Sequence, residues 1–197
     1  MSSSRRLALA TGTLVSVVLA VLTPTASQAA VSDSADSRHD VVAQSGSKPG
    51  KVDPDRRNGD VTAVRVTHGP RKVVLELRFA TLKATGSWHR HWFRLVTDEG
   101  VRRELAVTAG PGSWQGRARL TGVDQTPEGC TLGSTITYGS GGSARVVVPR
   151  SCLSSPAWVR VAAGSVTASG STTWADDART TGKLYDAPVF GPRVERG

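Results

Sequence analysis

Lys72-Val73-Val74-Leu75-Glu76-Leu77-Arg78-Phe79-Ala80 is the stretch that decides the fold class. Successive side chains of an extended chain point to opposite faces, so Val73, Leu75, Leu77 and Phe79 share one face. Lys72, Glu76 and Arg78 share the other. The same period of two runs through Val101 to Ala109, with Val101, Leu105 and Val107 inward and Arg102 and Glu104 outward. It recurs from Trp114 to Thr121, where Trp114, Ala118 and Leu120 alternate with Gln115, Arg117 and Arg119. Val61–His68, Trp88–Thr97, Leu132–Tyr138, Ala144–Arg150 and Trp158–Ala163 are further strand candidates. Turn formers stand between them: Asn58-Gly59, Gly69-Pro70, Asp98-Glu99-Gly100, Gly110-Pro111-Gly112, Pro127-Glu128-Gly129 and the run from Gly139 to Ser143. No stretch after residue 30 has helical spacing. The pattern predicts an all-β protein, a single antiparallel β-sandwich of jelly-roll or immunoglobulin-like form.

The chain has 197 residues, 38% of them apolar and 21% charged, with a net charge of +9. That length suits one domain, and the composition is too apolar for a wholly disordered chain. Arg5 and Arg6 precede an uncharged run from Leu7 to Leu22, and Pro24 and the small residues Ala26 to Ala30 follow. This is the layout of a secretory signal peptide over residues 1–29, with cleavage after Ala29. The apolar run is shorter than the roughly 20 residues a membrane span needs. Residues 30–51 are rich in Ser, Asp, Ala and Gly and read as a disordered linker, since little apolar surface is there to offset ordering entropy. Residues 52–190 form the expected sandwich domain, with 191–197 as a C-terminal tail. Losing Arg5 and Arg6 takes the charge from +9 to +7. A secreted protein of that charge draws anionic partners, namely cell-wall polymers or acidic glycans, rather than nucleic acid, which it seldom meets. No membrane association is expected after cleavage.

Cys130 and Cys152 are the only two cysteines. If Gly141 centres the turn between the strands they bracket, residues n and 282 − n face each other, and Cys130 falls opposite Cys152. This register predicts a disulfide-stapled hairpin, in keeping with an oxidising location. Closing a loop of that size stabilises by roughly 3 kcal/mol in the chain-entropy account.

The most distinctive local run is Trp88-His89-Arg90-His91-Trp92-Phe93-Arg94. On a strand, Trp88, Arg90, Trp92 and Arg94 share one face, and His89, His91, Phe93 and Leu95 the other. In a chain with so few aromatics the Trp-bearing face is expected in the core, with the Arg stems along the rings. Open to solvent, those four side chains would instead be the ligand contacts. Indole rings stack on sugars, and guanidinium groups fork onto carboxylates or sulfates. His89-x-His91 could seat a metal, but Gly86 and Glu99 are wrongly spaced for a cupin-type site. Acids gather at both ends of the domain, with Asp53, Asp55 and Asp60 at its start and Asp176, Asp177 and Asp186 near its finish. Since chain termini of a domain often meet, these could wrap one calcium ion, which takes six to eight oxygens. The competing expectation is a cofactor-free protein whose aspartates serve turns.

Enzyme signatures are missing. No Ser has Gly at both −2 and +2, and no phosphate-binding P-loop or G-x-G-x-x-G is present. A divergent secreted hydrolase would have to rely on His89, His91 and Glu99. The stretch from Val148 to Val161 (VPRSCLSSPAWVRV), with Asn58-Gly59-Asp60-Val61-Thr62 and Val64-Arg65-Val66-Thr67-His68, resembles a group of small exported actinobacterial proteins of unknown function. The resemblance covers roughly Val52 to Phe190. It implies a β-sandwich of carbohydrate-binding-module or DOMON-like type and carries over no catalytic residue. The expected function is that of a secreted, non-catalytic binding module. The alternatives are the divergent hydrolase and a structural or inhibitory protein that docks partners along a sheet edge.

Overall fold

The computed structural model describes residues 28–121, 129–184 and 187–197. The signal-peptide reading and Asp186 lie outside them. Among the described residues fifteen strands follow in chain order: β1 Ala30–Ala35, β2 Val42–Ser45, β3 Lys51–Val52, β4 Val61–His68, β5 Lys72–Phe79, β6 Thr81–Leu82, β7 Trp88–Thr97 and β8 Arg102–Gly110. After these come β9 Ser113–Thr121, β10 Gly133–Thr137, β11 Gly139–Ser140, β12 Ser143–Pro149, β13 Trp158–Ser169, β14 Thr172–Asp177 and β15 Val194–Glu195. A single 3-10 turn, Arg150–Leu153, is the only helical element among the described residues, so none of them forms a helix able to cross a membrane.

Two antiparallel sheets carry the fold. One runs β1-β4-β5-β12-β10, and the other runs β3-β2-β14-β13-β7-β8-β9 with β15 added on β13. Their inner faces meet in one apolar core: Val64, Val66, Leu75, Leu77, Val146 and Val148 from the first sheet, Phe93, Leu95, Leu105, Val107, Val159 and Val161 from the second. Strand β5 behaves as its alternation requires, with Val73, Leu75, Leu77 and Phe79 buried while Lys72 is exposed. The molecule is an all-β sandwich, and the one disulfide joins Cys130 to Cys152.

Three expectations need correction. Residues 30–51 are not a spacer. Strand β1 pairs with β4 from Ala30↔His68 to Ala35↔Ala63, and β2 pairs with β14. Asp40 and Val41 between them are buried, as is Val42 at the start of β2. An edge strand is held by backbone hydrogen bonds on one side, which need no apolar side chains, so composition did not reveal it. Nor are residues 191–197 a loose tail: Val194 is buried, Gly191 N–H bonds to Val161 C=O, and Gly197 N–H bonds to His68 C=O. Finally, the hairpin register differs by two. Ser134 faces Val146 and Ile136 faces Ala144, because Gly139 and Ser140 are drawn into pairing with Leu82 and Thr81 of β6. An even slip leaves every side chain on its expected face. Cys130 thereby falls opposite position 150, and the 3-10 turn brings Cys152 back to it, with the two Cα atoms 5.6 Å apart.

Candidate functional site

Strand β7 lies between β13 and β8 near the middle of the larger sheet. Its burial alternates strictly: His89, His91, Phe93 and Leu95 point into the core, while Trp88 and Arg90 are exposed and Trp92 and Arg94 half-buried. The expectation that the Trp face is core is therefore reversed. Both faces carry bulky rings, and the charge decides between them. A guanidinium must keep water or an ion partner, whereas an imidazole can be buried neutral. Arg90 Nη2 donates to Glu104 Oε1 at 2.8 Å and Arg94 Nε to Glu104 Oε2 at 3.0 Å, so one carboxylate holds both guanidiniums in place. Trp92 lies against the backbone of Gly164, where an added Cβ would come within 2.5 Å of the indole. Registers extend the face onto β9. Arg90, Thr108 and Arg117 form one row, and Trp92, Ala106 and Arg119 the next, with both β9 arginines exposed. This part of the outer face thus brings two indoles and four guanidiniums together with the Glu104 carboxylate.

On the opposite face the histidines have protein partners. His89 Nε2–H donates to Thr85 C=O at 2.8 Å, and His91 Nδ1 shares a 3.0 Å hydrogen bond with Ser165 Oγ. The His89 ring touches His91 and Trp114, and Phe79 packs on His91. Burial first, then the neighbouring His89, lowers His91 to about 3, so it stays neutral. Glu99 sits in an exposed turn beyond the far end of β7, about 26 Å along the strand from His89. The residues a hydrolase would need are not brought together.

The acidic residues do converge, in a different combination from the one expected. Asp60 precedes β4, Asp176 and Asp177 end β14, and Asp36 and Asp40 come from the loop after β1. One carboxylate oxygen each from Asp40, Asp60 and Asp176 lie within 4.8 Å of one another, and all three residues are buried. Backbone donors orient them. Gly182 N–H binds Asp40 Oδ2, His39 N–H binds Asp60 Oδ2, and Val61 N–H binds Asp176 Oδ2 at 2.7 Å. Burial, reinforced by the neighbouring carboxylates, pushes Asp36 up to about 7 and Asp176 up to about 8. Burial likewise raises Asp60 and Asp177. Asp177 borders the group and accepts Arg179 N–H. Asp53 and Asp55 stand apart. Asp53 accepts the Trp174 indole N–H at 3.1 Å, beneath the Arg56 guanidinium, and Asp55 is exposed. Asp36 and Asp40 were missed because their segment read as a linker. The buried pair Val41-Val42 directly after Asp40 was the available signal. No known family model, curated protein or solved structure matches the chain.

Proposed function

We propose that the chain is an exported, non-catalytic β-sandwich that binds an anionic polymer, an acidic glycan or cell-wall polymer, on the outer face of its larger sheet. The observation that carries this reading is the solvent-open ladder of Trp88, Arg90, Trp92 and Arg94, widened by Arg117 and Arg119. Indoles give flat stacking surfaces for sugar rings, and guanidiniums pair with carboxylate, sulfate or phosphate groups. Because Glu104 already holds Arg90 and Arg94, less side-chain entropy is lost when a ligand arrives. The leader-like residues 1–29, the charge of +7 left after their removal and the resemblance to small exported actinobacterial proteins support the same reading.

A pull-down on acidic glycans and isolated cell walls tests it. Retention of the wild type should fall at least tenfold in Trp88→Ala and in Arg119→Glu, each with an unchanged Tm. Trp92→Ala should also lose retention, though uncovering Gly164 lowers its Tm as well. Equal retention of Trp88→Ala, Arg119→Glu and wild type, or no retention of the wild type, would overturn the proposal.

A further inference from the structure

We propose that Asp36, Asp40, Asp60 and Asp176 form an all-oxygen site for a calcium ion, which ties the loop after β1 and the end of β14 to the start of β4. This inference does not depend on the polymer-binding reading.

Three observations carry it. The first is spacing. Oxygens bound to one calcium lie 2.3–2.6 Å from it, so two of them on opposite sides are about 5 Å apart. The converging oxygens of Asp40, Asp60 and Asp176, all within 4.8 Å of one another, fit around such a centre. The second is the unmet bonding capacity of the carboxylates. Asp60 is 0% exposed and Asp40 5% exposed, yet Oδ1 of each has no hydrogen-bond partner, and neither has Oδ2 of Asp36. A buried carboxylate oxygen left without a partner is costly, and here three carboxylates share the fault in one place. Backbone N–H groups of Gly182 and His39 hold the second oxygens of Asp40 and Asp60, which fixes the carboxylates and leaves the first oxygens open. The third is the lack of a direct ion pair. No Lys or Arg among the described residues forms an ion pair with Asp40, Asp60 or Asp176. Arg38 and His39 act electrostatically on Asp60, and Arg179 on Asp36 and Asp177, all without an ion-pair contact.

The donors decide the metal. Carboxylates alone, with no imidazole or thiolate, suit a hard cation. Ligands drawn from three separate segments suit calcium's irregular, high coordination better than magnesium's strict octahedron. Asp53 and Asp55 are left out of the set, which separates this site from a general attraction of acids for cations.

The test uses the secreted chain stripped with EDTA, with melting curves and calorimetric titration against calcium chloride alone. At a hundredfold excess over Kd, calcium should raise Tm by about 5–10 °C. Asp60→Asn and Asp176→Asn should abolish both the shift and the binding heat, while Asp53→Asn and Asp55→Asn keep them. In EDTA the Asp60→Asn and Asp176→Asn variants should melt no lower than wild type, because each keeps the shape and an acceptor oxygen while lifting the cost of burying a carboxylate; a lower melting point there would mark a purely structural role and overturn the site. A wild type indifferent to calcium, or a response that survives Asp60→Asn, would also overturn it. An equal response to magnesium chloride would overturn the assignment to calcium.

Discussion

His91 shows how a single residue ties the core to pH. Its ring is fully buried against Phe79 and His89, and Ser165 is its hydrogen-bond partner. Burial lowers its folded pKa to about 3 from an ordinary 6.5, and His68 and His89 are lowered by burial as well. The unfolded chain therefore binds protons that the folded chain refuses. Stability is complete above the unfolded pKa and is lost as pH falls from about 6.5 towards 3. Each pH unit in that window costs up to about 1.4 kcal/mol for His91. Asp36 and Asp176, raised by burial, act in the opposite sense in the metal-free protein, gaining stability as pH falls below 8. Saturating calcium should suppress their contribution and leave that of the histidines. Under that condition the urea midpoint of the wild type should fall between pH 7.5 and 5. His91→Gln, less stable at pH 7.5, should lose less over the same interval. Parallel curves for the two proteins would show that His91 is not the acid-sensitive group.

At the scale of the element, β1 is the clearest test of what holds this sandwich together. Its six residues pair one-for-one with β4, although three of them are Ser or Asp and Val31 is half-exposed. Each hydrogen bond is worth about 0.5–1.5 kcal/mol net, less the entropy of ordering the strand. A chain beginning at Arg38 should thus lose on the order of 2 kcal/mol in urea unfolding, and its calcium response should weaken through loss of Asp36. A linker would be removed without effect. The same contrast explains what could be read from the sequence. Strands β4, β5, β7, β8 and β12 each bury one face and β9 half-buries one, and period two marks such strands. The disulfide was legible too, since an even register slip preserved its side of the hairpin. Short or peripheral elements such as β1, β2 and β15 leave no such mark, and the proposed calcium ligands Asp36 and Asp40 were hidden with them. The face of β7 was misassigned because both of its sides carry rings. Only the demand of Arg90 and Arg94 for water or an ion partner separates them, and aromatic counting does not weigh that demand.

Across the whole molecule the two proposed sites are neighbours. Asp177 pairs with Gly164, which pairs with Trp92, so the aspartate group begins two strands, about 10 Å, from the Trp/Arg ladder. Asp176 pairs with Ser165, which pairs with His91, so its carboxylate lies on the inner side of the sheet and calcium adds its two positive charges from farther off, roughly 15 Å. With the dielectric of water this favours each polymer charge by about 0.5 kcal/mol, roughly a two- to threefold gain in affinity at low salt. The Debye length is about 10 Å at 0.1 M and about 3 Å at 1 M, so the gain should fade across that range. Linkage makes the effect mutual, so the polymer must tighten calcium by the same factor. Should both sites be occupied as proposed, EDTA should lower retention on an acidic glycan several-fold in 20 mM salt and leave it unchanged in 1 M salt, where any residual binding comes from indole stacking. A chelator effect of equal size at both salt concentrations would mean that calcium acts on the ladder by ordering the sheet rather than through its charge. In that case Asp60→Asn would weaken retention at every ionic strength.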